Sequence, residues 1–284
     1  MREQHSLTLK VAILDLYNGH VNQGMRCIRQ ILNEFRDTNG IHLIFEEFDV
    51  RGKASVPDLS FDMFISTGGP GSPFEGEGTE WEEKYFSWLN EVLAWNASDE
   101  NETKKHVFFI CHSFQMACRF FEVGHVCKRK STAFGVFPVF QIPSSDKESV
   151  FDGLHDPFFV VDSRDYQVIQ PDFKRLNQIG GRLLCIEKDR PHVALERAIM
   201  GIRFNDYMVG TQFHPEADAL GMSMYLQTDE KKKTVIENHG FEKWKNMIEH
   251  LEDPDKILWT YSRILPNFLQ QGILQHSSDT VSSE

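Results

Sequence analysis

Cysteine is scarce in this 284-residue chain, and its number is odd: Cys27, Cys111, Cys118, Cys127 and Cys185. No two share a CxxC spacing, which argues against a disulfide framework or a zinc site. Long apolar runs are missing too. None approaches the roughly 18 residues that a membrane span needs, so no membrane association is expected. The opening MREQHSLTLKVAILDLY has no extended apolar core before a small-residue cleavage site, so no signal peptide is expected and a reducing cytoplasm fits best. Asn96-Ala-Ser and Asn101-Glu-Thr match a glycosylation pattern, which is chance in that setting. Positive charge is also in deficit: 30 Lys and Arg against 42 Asp and Glu leave a net −12. That argues against general affinity for nucleic acid, and the acidity reads as solubility. There is no P-loop. The first strand-like run is followed by YNGHVNQG, not by a G-x-G-x-x-G turn, so a dinucleotide-binding reading is weak.

What is present fits a folded domain with an aromatic core. Hydrophobic residues make up 40% and Phe outnumbers Tyr by 23 to 6. Residues 9–16 read as a buried strand. Met25, Ile28, Leu32 and Phe35 at helical spacing predict an amphipathic helix, closed by Asn39-Gly40. Residues 41–50 and 61–66 read as strands and residues 81–95 as a helix. A polar loop follows over 98–105, then a strand over 106–110 and a helix over 115–121 that Gly124 can cap. This alternation predicts a doubly wound, mostly parallel α/β sheet, whose reactive groups gather at the carboxyl ends of the strands.

From Phe134 the pattern changes to short, closely spaced strands: FGVFPVFQI, FFVVD, YQVIQ, RLLCIEK, RAIMGIRF and YMVGTQF, some of them antiparallel. After His214 helices are expected. One has Phe241, Trp244, Met247, Ile248 and Leu251 on one face. A second starts at Asp253 as N-cap with Pro254 next and carries Ile257, Leu258, Tyr261, Ile264 and Leu265. The expected division is a domain over 1–218, a packed helical extension over 219–270 and a disordered tail over 271–284.

Three segments can carry chemistry. Thr67-Gly68-Gly69-Pro70-Gly71-Ser72 follows a strand directly. It reads either as a loop that aims backbone N–H groups into a cleft or as a flexible turn. In Phe109-Ile110-Cys111-His112-Ser113-Phe114-Gln115 the cysteine sits between strand and helix. A sharp turn there exposes the sulfur, the helix N-terminus favours its thiolate, and the His112 N–H can meet a developing oxyanion. The bland alternative is a buried cysteine, the reading given to the other four. In Gly210-Thr211-Gln212-Phe213-His214-Pro215-Glu216 a histidine has a carboxylate two residues on. A cysteine nucleophile needs such a base, and the base needs an orienting partner. Alone, the segment also reads as a surface turn.

Together GGPGS, FICHSFQ and TQFHPE resemble the class I, triad-type glutamine amidotransferases, in family order and at similar separation over about residues 8–218. The stand-alone GMP-synthase-like members are the most similar. The resemblance implies a flavodoxin-like fold and a glutaminase with Cys111 as nucleophile, His214 as base and acid, and Glu216 as its partner. It implies oxyanion N–H groups from Gly69 and His112 and substrate contacts from Gln115, Gly68 and Ser113. It calls for no metal and no organic cofactor. The substrate would be glutamine or another γ-glutamyl compound, and the candidate partner is a synthetase subunit that accepts the ammonia. The chain departs from the family's G-x-C-x-G-x-Q elbow by placing Phe109 and Ser113 where glycines stand. A bulky Phe109 would shift the elbow, reshape the pocket or mark a different substrate. Two alternatives keep the same site residues: a γ-glutamyl hydrolase, and a non-catalytic binding protein of this fold.

Overall fold

A computed structural model describes residues 8–143, 148–189, 191, 196–242, 244–245, 248 and 254–281. Among the described residues, nine strands form one sheet in the order β2-β1-β3-β4-β9-β8-β7-β5-β6. The parallel half holds β1 (Thr8–Asp15), β2 (His42–Asp49), β3 (Met63–Ser66), β4 (His106–Ile110) and β9 (Met208–Thr211). β5 (His125–Gln141), β6 (Phe158–Ile169), β7 (Arg182–Glu187) and β8 (Ile199–Asn205) continue it in antiparallel fashion. This mostly parallel core flanked by helices is the flavodoxin-like arrangement expected. FFVVD and YQVIQ, expected as two strands, are one: pairing along the long β5 carries β6 through both.

Helices among the described residues include α1 (Gly24–Asn39), α2 (Val50–Lys53), α3 (Glu80–Ala97), α4 (His112–Phe121), α5 (Phe173–Gln178), α6 (Ala219–Leu226), α7 (Asp229–His239) and α8 (Pro254–Val281). Strand side chains alternate between two cores. In β4, Phe108 and Ile110 enter the core covered by α1 and α8, while Val107 and Phe109 enter the core covered by α3 and α4. The helix expected over 115–121 starts earlier, at His112, and Glu122 closes it in the left-handed region at φ 56°. Gly124 is not its cap. A Cβ there would stand 2.9 Å from Val168 Cγ1, so the missing side chain lets the chain pass close to β6.

α8 belongs to the sheet's cover. Ile264, Leu265, Phe268 and Leu269 are buried, and the Phe268 ring meets Phe108 edge-on at 5.3 Å. The helix continues to Val281, so the boundary expected at 270 falls inside it and residues 271–281 are not a disordered stretch. Two contacts hold this part. Gly272 approaches β1 and β3 so closely that a Cβ would stand 2.9 Å from Leu9 Cδ1. Gln275 accepts from the Lys104 N–H at 3.1 Å and donates to the Lys104 carbonyl at 3.0 Å. Met247, Leu251 and Asp253 lie outside the described residues. Among the described residues, no helix is long and apolar enough to cross a membrane.

Candidate active site

β4 is buried along its whole length, and Cys111, the next residue, adopts φ 49° and ψ −95° before α4 begins. A non-glycine residue in such a conformation is strained and persists only where its surroundings hold it. Here they do. The Cys111 N–H donates to Thr211 O at 2.8 Å. Ser113 Oγ accepts from the Ile110 N–H at 2.8 Å and donates to Ser66 O at 2.7 Å. The Ser113 hydroxyl, expected at the substrate, is thus committed to tying β4 to β3 beneath the turn. Phe109 does not shape the site either. It is fully buried and packs edge-on against Phe204 at 5.6 Å, in the core opposite the one that contains Cys111.

β9 ends beside β4, and the segment after it brings His214 and Glu216 to the same edge. The His214 N–H donates to Val161 O at 2.9 Å, which anchors this segment on β6. His214 Nδ1 pairs with Glu216 Oε1 at 2.8 Å. Burial alone would lower the His214 pKa. The charges of Glu216 and Cys111, and hydrogen bonds with both, instead raise it well above its usual value. With Nδ1 committed to Glu216, Nε2 is the ring nitrogen left for the sulfur.

The glycine loop closes the third side. A Cβ on Gly68 would lie 2.8 Å from His214 Cε1, so only glycine lets the loop and the imidazole share this space. A Cβ on Gly69 would collide with the Leu16 carbonyl at the end of β1. Arg51 holds the loop from behind. Its Nη1 donates to Pro70 O at 2.7 Å and to Leu16 O at 3.2 Å, and its Nη2 pairs with Glu75. Glu75 in turn accepts the Ser72 N–H at 3.0 Å. His112 opens α4, so its N–H has no acceptor within the helix. Its ring is buried, and burial together with the nearby Arg51 and Arg119 pushes its pKa down to about 3, so it is neutral.

The residues named from the sequence thus converge, with two qualifications. Ser113 lies under the turn, as described, and Gln115 reaches the sulfur only through a neighbour. Gln115 Nε2 donates to Gln212 Oε1 at 3.2 Å and to Tyr166 O at 3.2 Å, and Gln212 Nε2 points at Cys111 Sγ from 3.9 Å. Gln212 sat unassigned within TQFHPE. Three other contributors carry no motif. Tyr17, at the end of β1, is 9% exposed and faces Gly68, whose Cβ would stand 3.4 Å from its hydroxyl. Ser163 on β6 turns its carbonyl toward Cys111 Sγ at 3.7 Å. Arg51 follows β2. The rule that strand ends at one edge share a site points to Tyr17; nothing local points to Arg51 or Ser163. Among the described residues, no group of three or more His, Cys, Asp or Glu side chains is arranged to hold a metal ion.

The geometry thus gathers a cysteine, a histidine and a glutamate at the carboxyl edge of a doubly wound α/β sheet. The sequence profile of class-I glutamine amidotransferases matches residues 21–227, and the chain belongs to that family. No curated protein sequence matches it. Among solved structures, a glutamine amidotransferase from Thermotoga maritima superposes with a TM-score of 0.64 at 18% identity, covering 93% of this chain and 98% of that one. The glutaminase domain of Trypanosoma brucei CTPS, with bound acivicin, gives 0.55 at 13% identity, covering 92% and 94%. A putative GMP synthase subunit from Thermoplasma acidophilum gives 0.51 at 19% identity, covering 78% and 92%.

Proposed function

We propose that this protein is a glutaminase that releases ammonia from the side-chain amide of glutamine, and that Cys111, His214 and Glu216 carry out the reaction. The observation that carries this reading is the His214–Glu216 pair at 2.8 Å beside a cysteine held in a strained strand-to-helix turn. The Cys111 thiolate adds to the amide carbon, and the N–H groups of Gly69 and His112 receive the oxyanion. The tetrahedral adduct collapses with cleavage of the C–N bond, and the His214 imidazolium gives its proton to the departing nitrogen, so ammonia leaves and a thioester remains. His214 then takes a proton from water, whose oxygen attacks the thioester. Glutamate departs and the thiolate is restored beside an imidazolium, with no net redox change. Glu216 holds the imidazole in the tautomer this exchange requires.

The family and the synthetase-linked names of two structural relatives support an ammonia-accepting synthetase as partner. The test is release of ammonia and glutamate from glutamine by wild type and Cys111→Ala, with a γ-glutamyl peptide panel alongside. Turnover of glutamine that disappears in Cys111→Ala is the expected result. Cysteine-dependent cleavage of the peptides alone would replace this reading with a γ-glutamyl hydrolase. If a glutamine-like electrophile such as acivicin left Cys111 unmodified, a binding protein would be the better reading.

A further inference from the structure

At the end of the sheet opposite Cys111, where β4 begins, a cavity of about 210 Å³ is lined by His106, Glu148, Ser149, Arg182, Arg203, Asp206 and Gln271. Arg203 is 4% exposed, and its Nη1 has no hydrogen-bond partner among the described residues. The rest of that guanidinium is spent on Glu148, through Nε at 3.0 Å and through Nη2. Glu148 also accepts from Arg182 Nη2 at 2.9 Å and is itself buried. One carboxylate therefore serves two guanidinium groups, and the floor of the cavity keeps an excess of positive charge. The other acid, Asp206, is exposed at the rim.

A second orphan atom sharpens the chemistry. His106 is 7% exposed, and among the described residues its Nδ1 has no hydrogen-bond partner within ordinary distance, although the Gln271 side chain lies near the ring. Its Nε2 meets Gln275 Oε1 at 3.2 Å. The two Gln275 bonds to the Lys104 backbone fix that oxygen as the acceptor, so Nε2 carries the proton and Nδ1 offers a lone pair. Burial keeps the ring neutral, lowering its pKa to about 4. Buried polar atoms are rarely left without a partner, and each such atom in a native fold calls for one.

We propose that this cavity binds a small protonated oxyanion, of which hydrogen phosphate is the type: Arg203 Nη1 and Arg182 donate to its oxygens, and His106 Nδ1 accepts its P–O–H. The volume lies below the roughly 300–1,000 Å³ of pockets for drug-sized ligands, which favours a small ion over a nucleotide. The inference does not depend on the glutaminase reading.

The test titrates the full-length protein with inorganic phosphate, glycerol phosphate and sulfate by calorimetry, comparing wild type, Arg182→Gln and Asp206→Asn. Both substitutions are at half-exposed or exposed positions, and circular dichroism checks their folding. Saturable phosphate binding is expected. Arg182→Gln should weaken it roughly tenfold, the scale of one charge-assisted hydrogen bond. Asp206→Asn should tighten it, and sulfate, without a proton at neutral pH, should bind more weakly than phosphate. Glycerol phosphate, at neutral pH mostly a dianion without a P–O–H, should bind more weakly than inorganic phosphate; a preference for the ester would overturn the role given to His106. No saturable binding, equal binding by all three proteins, or no preference for phosphate over sulfate would overturn the proposal.

Discussion

Phe109 and Gly210 stand opposite each other on β4 and β9, and a Cβ on Gly210 would lie 2.9 Å from the Phe109 Cβ. The space a glycine would occupy in the family's elbow is used by a phenylalanine, and the neighbouring strand supplies the missing volume. Gly210→Ala should therefore destabilise the fold by about 1–3 kcal/mol, the usual scale of overpacking. Phe109→Ala should cost about 3–5 kcal/mol through the cavity it leaves. Neither should change the rate at which iodoacetamide alkylates Cys111 in folded protein. Urea unfolding and an alkylation time course check both statements. A change in alkylation without loss of stability would place Phe109 in the site after all.

The outcome at Phe109 shows where reading the sequence stops. The parallel strands were legible because each is a short apolar run bounded by turn residues, and the candidate site was legible because its three segments each follow a strand-like run. Which core Phe109 enters depends on its partner strand, about a hundred residues away, and no local pattern encodes that. The commitment of the Ser113 hydroxyl to Ser66 O, on another strand, was hidden for the same reason. The grip of Arg51 on Leu16, Pro70 and Glu75 is likewise set by tertiary approach.

The raised pKa of His214 has a consequence for stability. Burial opposes the shift, and the charges of Glu216 and Cys111 and the hydrogen bonds with both outweigh it. A histidine raised in the folded state contributes stability fully below its unfolded pKa, near about 6.5. That contribution is lost as pH rises through the folded value. The stability gap between wild type and Glu216→Gln should thus be widest in mild acid and shrink in alkali. Urea melts across pH, with NMR titration of the His214 ring, measure it. The ring should titrate lower in Cys111→Ala. A gap that widens with pH would contradict the assignment.

Arg51 should act on turnover through the loop it holds. Arg51→Met leaves the carbonyls of Leu16 and Pro70 without their donor and frees Glu75. If the Gly69 N–H then drifts from the oxyanion, kcat should fall by about 10²–10³, as when one such donor is lost. KM should move less. Arg51→Lys should not rescue, because a single ammonium cannot span three acceptors. Retained alkylation of Cys111 would show that the site, not the fold, was affected.

Gln212 should tune the sulfur. Its amide, oriented by Gln115, aims an N–H at Cys111 Sγ. Gln212→Leu removes that donor, and alkylation of Cys111 at neutral pH should slow by roughly tenfold, the scale of a hydrogen bond to a charged group. Gln115→Leu should give a smaller effect in the same direction, since it loosens the orientation and leaves the donor in place. Equal rates in wild type and Gln212→Leu would remove Gln212 from the site.

Truncation after residue 270 tests the last part of the fold. A disordered tail could be removed without effect. As the end of α8, the same residues bring Gly272 against Leu9 and Met63, bury part of Ile273 and hold Lys104 through both ends of the Gln275 amide. Their loss opens apolar surface on β1 and β3 and leaves the backbone groups of Lys104 without a partner. Each intramolecular hydrogen bond is worth about 0.5–1.5 kcal/mol, and exposed apolar area adds about 25 cal/mol per Å². The truncated chain should therefore unfold at lower urea than the full chain. Gln275→Ala alone should reproduce part of that drop, because it removes both bonds to Lys104 and the contact with His106 while leaving the helix in place. An unchanged midpoint for the truncated chain would return these residues to the status of a tail.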